Sequence, residues 1–516
     1  MQNEGLGSWL ARRARLTRDA VAFVDAGAKT ADGKAVTLTY DALHRRAMRL
    51  ARGLFALGVL PGDRVAYLGP NHPAFLETCF ATSMLGGVFV PLNYRLAAPE
   101  LAHVLANSGT TVLVFASERA ELAHAALEVT PLPQAIAVHG GPGALDYEAL
   151  VARSPEMPFD ENVALDDPAV IMYTSGTTGR PKGATLTHAN LTWNAVNAMI
   201  DLDLTSRDVS LACAPLFHSA TFGMLCLPTL VKGGTVVSLP SFELDPVFDA
   251  IAEHRVSFMF GVPTMFQSMA RSPRWAAAEL SSLRVLLCGG APVPESLIRD
   301  YEVRGLTLLQ GYGMTEVAPG ALFLNHRAAH KVGSAGKASF FTDVRLVRPD
   351  FTDAKPGEPG EIVVKGPNVM KGYWDDPGAT AASMNDGWFR SGDAGVVDDE
   401  GFFYIRDRLK DVIISGGENV YPAEIEAALH EHPAVHDCAV IGVPHEKWGE
   451  VGKAIVVLAP GARVTGSDLL ASLAGKIGKY KIPASVEFAE SLPRTGSGKL
   501  DKKALRAAHA MHARRS

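Results

Sequence analysis

Several things that would assign this chain to a class are scarce in it. Its 516 residues carry 49 basic and 55 acidic side chains, a net charge of −6 with neutral histidines. No segment gathers a Lys/Arg-rich stripe, so the electrostatic footprint of a nucleic-acid binder is missing. Only five cysteines occur, Cys79, Cys213, Cys226, Cys288 and Cys438. They are scattered and form no C-x-x-C, which argues against a zinc ribbon or redox pair and fits buried thiols in a reducing compartment. No uninterrupted apolar run approaches the roughly 18 residues of a membrane span; the best, Phe222–Val231, is short and contains Pro228. The N-terminal MQNEGLGSWLARRARLTRDA lacks the apolar stretch and cleavage pattern of a secretory leader. We expect a cytoplasmic protein. Internal repeats and low-complexity tracts are lacking too.

The remainder is an ordinary globular composition, 47% hydrophobic and 20% charged. A chain of this length exceeds one core and suggests three or four lobes. Residues 9–60 read as helix-rich, with Leu43, Ala47, Leu50, Leu54 and Leu57 on one face. Residues 63–71 read as a short strand ended by Gly-Pro. The run AFLETCFATSMLGGVFVPLN (74–93) reads as helical, Pro99–Ser108 as a helix with proline in its first turn, and Thr110–Phe115 as extended. Strands are expected at Ala169–Tyr173, 256–263 and 283–292, each emptying into Gly, Pro, Ser or Thr, as strands do where α/β folds place ligands. From about 333 the chain becomes β-rich. After Asp407-Arg408-Leu409-Lys410 it restarts as a small α+β unit, with a helix in YPAEIEAALHEH and strands in DCAVIGVP, KAIVVLAPG and SVEFAE. The expected class is α/β: a large multi-lobed N-terminal domain (1–406) with parallel sheets and a β-rich segment, then a small mobile α+β domain (407–516).

One stretch stands out. After Ala169–Met172 and Tyr173 come ten residues with almost no hydrophobic content: Thr174, Ser175, Gly176, Thr177, Thr178, Gly179, Arg180, Pro181, Lys182 and Gly183. By composition this is either an exposed flexible loop or an anion nest, in which glycines let N–H groups converge, hydroxyls donate and a lysine completes the cradle. It is not the P-loop NTPase pattern, because Pro181 precedes Lys182 and no Lys-Ser/Thr opens a helix.

As an ordered string, YTSGTTGRPKG resembles the signature of the adenylate-forming superfamily: acyl- and aryl-CoA synthetases, beetle luciferases and peptide-synthetase adenylation domains. Four later strings match that family in order: GYGMTE (311–316), GWFRSGD (387–393), DRLKDVIISGGENVYPAEIE (407–426) and PRTGSGK (493–499). The resemblance spans nearly the whole chain and is nearest to bacterial fatty-acyl-CoA synthetases. It implies ATP-dependent ligation of a carboxylic acid, medium- or long-chain, to coenzyme A through an acyl-AMP, with AMP and pyrophosphate released. Two alternatives stay open, an aryl-CoA ligase and an enzyme loading a carrier protein; a luciferase-like oxygenase is a further one. It also implies ATP, Mg2+ and CoA as cofactor and co-substrates, and small molecules as partners. A homodimer is left open, and membrane contact is at most peripheral, through the basic end that follows Lys499.

The resemblance assigns roles residue by residue. Lys499 meets the carboxylate and α-phosphate oxygens. Thr174 to Lys182 hold the outer phosphates. Glu316, with Thr315 beside it, matches the Mg2+ ligand, and the Thr174 hydroxyl joins it. Tyr312, within Gly311-Tyr312-Gly313-Met314, lies against adenine, with Gly289-Gly290-Ala291-Pro292 on the other side. Asp393 and Arg408 match the ribose contacts. Lys410 matches the hinge about which the small domain rotates, Gly416 and Gly417 give passage to pantetheine, and Trp448 with Lys479-Tyr480-Lys481 resembles segments touching the CoA nucleotide. Phe217-His218 stands where relatives place an aromatic gate. Amino-acid-activating relatives typically have an Asp here, so His218 argues against an amino-acid substrate.

The pocket candidates Gly223, Val262, Thr264, Met265, Val317 and Ala318 are uncharged, which suits an apolar tail. Ala220, Gly223, Gly261 and Gly320 are small and are expected to leave room for a tunnel, although aromatic acids remain open. His430, His432 and His436 lack metal-ligand spacing and are interrupted by Pro433. The basic end from Lys499 to Arg515 reads as a mostly solvated helix.

Overall fold

The computed structural model describes residues 3–29, 35–159, 161–174, 181–291, 293–415, 418–446, 448–474, 476–477, 479–495 and 499–513. Among them the strands form four sheets. The larger α/β sheet has nine strands. Its parallel centre runs through Val21–Lys29, Thr235–Ser238, Val209–Ala212, Phe258–Gly261, Val285–Cys288 and Leu308–Gly313, with antiparallel strands at both edges. The second, of eight strands, pairs Arg64–Leu68, Val88–Leu92, Thr110–Ala116, Gln134–Val138 and Pro168–Thr174 in parallel register, then turns antiparallel at Lys182–Thr187 and Gly372–Tyr373. The largest apolar core joins the two sheets: Phe75 packs its ring edge-on against Phe89 and Phe222, at 5.1 and 5.8 Å between centroids. Apolar runs with both faces covered are what parallel strands require.

A five-stranded antiparallel sheet follows, containing Asp343–Val347, Gly360–Lys365, Trp388–Val397 and Phe403–Arg408. The last sheet contains Ile413–Ser415, Val435–His445 and Gly449–Leu458, is flanked by the helices Pro422–His430 and Gly466–Ser472, and has its own core around Ile425, Leu429, Val440 and Val456. The α/β class with its β-rich segment and small C-terminal unit is the architecture the sequence pattern implies.

Residues 9–60 hold the helices Trp9–Leu16 and Tyr40–Ala56, and also an antiparallel strand pair, Val21–Lys29 and Ala35–Thr39, whose first strand pairs in parallel with Thr235–Ser238, two hundred residues away. Two expectations need correcting. The run 74–93 is not one helix. Helix Pro73–Met84 stops before Gly86-Gly87, and Val88–Leu92 becomes a fully buried strand of the eight-stranded sheet. The terminal helix Lys502–Ala513 is not simply solvated. Leu505 is buried against Ala439, Ile441 and Ile455, Lys502 pairs with Glu426 at 2.9 Å, and Arg506 pairs with Asp411.

Candidate active site

The two strands flanking the hydroxyl-rich loop, Pro168–Thr174 and Lys182–Thr187, pair antiparallel with Thr174 opposite Lys182. They bring the loop's first hydroxyl and its lysine together at the end of the eight-stranded sheet. Ser175, Gly176, Thr177, Thr178, Gly179 and Arg180 lie outside the described residues, as do Pro292, Gly416 and Gly417.

At the end of the nine-stranded sheet, Val285–Cys288 runs into Gly289-Gly290-Ala291, and Leu308–Gly313 carries Gly311, Tyr312 and Gly313. These two segments lie main chain against main chain: a Cβ on Gly289 would stand 3.0 Å from the Gly311 carbonyl oxygen. Tighter still, a Cβ on Gly313 would stand 1.8 Å from the Pro319 carbonyl oxygen, which accepts from the Met314 N–H at 2.9 Å. Only glycine fits at 313. The strand leads into the short turn Thr315–Val317, where the Thr315 and Ser219 hydroxyls hydrogen-bond at 3.1 Å.

The β-rich sheet supplies a third wall. Asp393 and Arg408 sit opposite each other on paired strands, with Arg408 Nε 2.6 Å from Asp393 Oδ1. The other carboxylate oxygen accepts from the Tyr312 hydroxyl at 2.7 Å. Burial raises the pKa of Asp393, against the lowering effect of Arg408 and Tyr312. Desolvation opposes the charge of Arg408, yet Asp393, Tyr312 and Glu316 together hold its pKa above the usual value.

Lys499 closes the group. The residue is partly open to solvent, but its ammonium lies in the cleft, where desolvation and then the Arg408 charge lower its pKa against the pull of Asp393 and Glu316. His218 shares this neighbourhood. Burial, followed by the charges of Lys499 and Arg95, pulls its pKa down to about 3, so the ring is neutral in the physiological range. Its ring centroid is 4.3 Å from that of Phe217, which meets Tyr94 edge-on at 5.2 Å.

Thus Thr315, Glu316, Tyr312, Asp393, Arg408, His218 and Lys499 are brought together from across the chain. Lys410 is exposed in the turn Leu409–Asp411, and Trp448 is exposed in the small C-terminal unit, where its backbone N–H donates to His445 Nδ1 at 3.3 Å. Two residues of the site carry no signal in the motifs. Tyr373 donates to Glu316 Oε1 at 2.9 Å, and its ring centroid lies 5.3 Å from Lys182 Nζ. Gln310, one residue before GYGMTE, is buried with its Nε2 lacking a partner among the described residues.

Among the acid-pocket candidates, Val317, Ala318 and Met265 are buried, Val262 is partly open and Thr264 is exposed. A Cβ on Gly223 would meet the Ala318 carbonyl oxygen at 2.8 Å and Pro319 at 2.9 Å. One on Gly261 would meet the Phe266 ring at 3.0 Å, and one on Gly320 would meet Met224 and Phe323 at 3.0 Å. At these three glycines the neighbours pack close to where a side chain would begin.

Comparison with known proteins agrees with this assembly. Residues 10–374 match the family model described as AMP-binding enzyme, and residues 424–499 match the AMP-binding enzyme C-terminal domain. A feruloyl-CoA synthase from Amycolatopsis sp is 56% identical over 503 residues, covering 97% of this chain and 98% of the relative. A long-chain-fatty-acid–CoA ligase, FadD13, from Mycobacterium tuberculosis is 40% identical, covering 91% and 93%. A solved o-succinylbenzoate coenzyme A synthetase from Bacillus subtilis, in complex with ATP and magnesium ion, superposes with a TM-score of 0.87 at 34% identity, covering 97% and 99%.

Proposed function

The chain belongs to the AMP-binding enzyme family and is an AMP-forming CoA ligase that uses ATP, Mg2+ and CoA, and from that premise we propose that its acid is aromatic, of the hydroxycinnamate kind. The observation that carries this reading is the 56% identity, over almost the full length of both chains, to a feruloyl-CoA synthase. A fatty acid is the second reading, favoured by the 40% identity to the long-chain ligase and by the uncharged pocket.

The residues divide the chemistry as follows. A carboxylate is a poor acyl donor because its leaving group would be oxide; conversion to the acyl-adenylate supplies a good one. Positioning and charge neutralisation do most of this work. Lys499 neutralises the acid's carboxylate and the α-phosphate as they meet. Asp393 takes the ribose hydroxyls, with Arg408 beside it, and the Gly289–Ala291 and Gly311–Gly313 segments flank the adenine. Glu316 and the Thr174 hydroxyl are hard oxygen donors at the phosphate end, which fits Mg2+, a cation that takes few protein ligands when phosphates supply the rest. When bound, Mg2+ offsets charge on the phosphates. His218, held neutral, and Phe217 stand between the acid pocket and the CoA entrance. The segment after Lys410 is the mobile unit, with the boundary near residue 407.

A panel of acids tests the substrate. With ATP, Mg2+ and CoA, hydroxycinnamates are expected to exceed octanoate and palmitate in kcat/KM by about 100-fold or more, the scale of two or three good pocket contacts. Preference for the fatty acids selects the second reading. Transfer to a carrier protein in preference to CoA rejects both.

A further inference from the structure

We propose that Tyr373 is a positioning residue that orients the Glu316 carboxylate for Mg2+ and fixes its spacing from the phosphate-loop lysine; this rests on the reading of Glu316 as a metal ligand. The segment Met370–Trp374 is a strap between those two groups. At one end the Met370 N–H donates to the Glu316 carbonyl oxygen at 2.8 Å. Further along, Lys371 N–H donates to Thr185 O at 3.0 Å and Trp374 N–H to Gly183 O at 2.7 Å, stitching the strap to the strand that begins at Lys182. Gly372 makes the connection possible: its φ is +149°, and a Cβ there would stand 2.7 Å from the Thr380 methyl. Tyr373 then projects into the cleft between both ends. Its backbone N–H is held by the Thr380 hydroxyl at 2.9 Å, so the side chain is aimed from a fixed base.

The phenol occupies one carboxylate oxygen of Glu316, Oε1, and among the described residues no hydrogen bond is made to Oε2. A hydrogen bond to a charged acceptor is among the stronger kind. It holds the carboxylate plane and leaves the second oxygen for the metal. The ring face is within cation–π range of the Lys182 ammonium. One side chain therefore ties together the metal-binding carboxylate and the phosphate-loop cation, the two charges that must straddle a polyphosphate.

Tyr373→Phe removes the donor and keeps the ring, its contact with Lys182 and the strap's backbone pairing. Wild type and variant are compared in pyrophosphate release across a Mg2+ titration at fixed ATP, and in calorimetric binding of ATP with Mg2+ or with EDTA, without acid. The Mg2+ needed for half-maximal rate is expected to rise about tenfold, as loss of one charge-assisted hydrogen bond implies. Affinity for MgATP falls with it, and ATP binding in EDTA is unchanged. In a Glu316→Gln background, Tyr373→Phe adds nothing further. An unchanged Mg2+ midpoint, or a full independent loss on top of Glu316→Gln, overturns the proposal. If Glu316→Gln alone keeps the wild-type Mg2+ dependence, the metal-ligand reading fails, and the proposal falls with it by a separate arm. Should Tyr373→Phe melt far below wild type, the titration is run at a temperature well below both melting midpoints, where the variant is folded. The same rise is expected there, and no rise overturns the proposal.

Discussion

Lys499 shows how a single side chain can matter out of proportion to its exposure. A lysine near a chain end is usually a solvated charge. Here its ammonium shares a cleft with Arg408, Asp393 and Glu316 and is partly desolvated. A preorganised cation in such a site stabilises developing charge far more than one in water. Lys499→Ala is expected to slow acyl-adenylate formation about 10²- to 10³-fold. Reaction of synthetic acyl-AMP with CoA is expected to keep its wild-type rate, because that half needs no cation between carboxylate and α-phosphate. Stopped assays of the two halves check this, and an equal fall in both contradicts the role. Asp393 argues in the same way from the opposite sign. It is paired with Arg408, bonded by Tyr312 and buried, so it is held ready as an acceptor, not left as an ordinary turn residue.

Among the elements, the N-terminal segment is anchored by one histidine. Leu6 N–H donates to His188 Nδ1 at 3.2 Å, and His188 sits at the start of the helix His188–Asp201. Accepting at Nδ1 requires a neutral ring, and burial lowers its pKa from 6.5 to about 4. The unfolded chain therefore takes up this proton first. Stability is full above about pH 6.5 and is lost as pH falls towards about 4, by on the order of 3 kcal/mol at most. Thermal midpoints measured from pH 7 to 4.5 are expected to fall less steeply in His188→Asn than in wild type; equal slopes contradict the assignment. How legible such elements are in sequence depends on how local their causes are. The helix at Ala98–Ser108, with proline in its first turn, and the strands ending in glycine were readable because their signals are contiguous. The hairpin at 21–39 was not, since its partner strand lies two hundred residues on. In the site, motif residues such as Glu316 and Asp393 were recognisable as ordered strings. Tyr373 was not, because its claim on Glu316 arises only when a strap 57 residues later in the chain folds across it.

For the molecule as a whole, two α/β sheets and a β-rich sheet each contribute one wall of a cleft, and the C-terminal unit contributes Lys499 to it. The Lys499 charge is felt by His218 and feels Glu316 and Asp393, which fits the role we propose for it in joining acid and nucleotide. The Leu409–Asp411 turn, with Lys410 exposed, is where we place the pivot that would carry Lys499 away and admit CoA. No described helix is long and apolar enough to cross a membrane. The account as a whole stands on the acid being activated as an adenylate, and the fate of ATP reports on this directly. Phosphorus NMR of a reaction containing ferulate, ATP, Mg2+ and CoA is expected to show AMP and pyrophosphate accumulating one for one with the thioester. Thioester formed with ADP and inorganic phosphate would contradict the account outright.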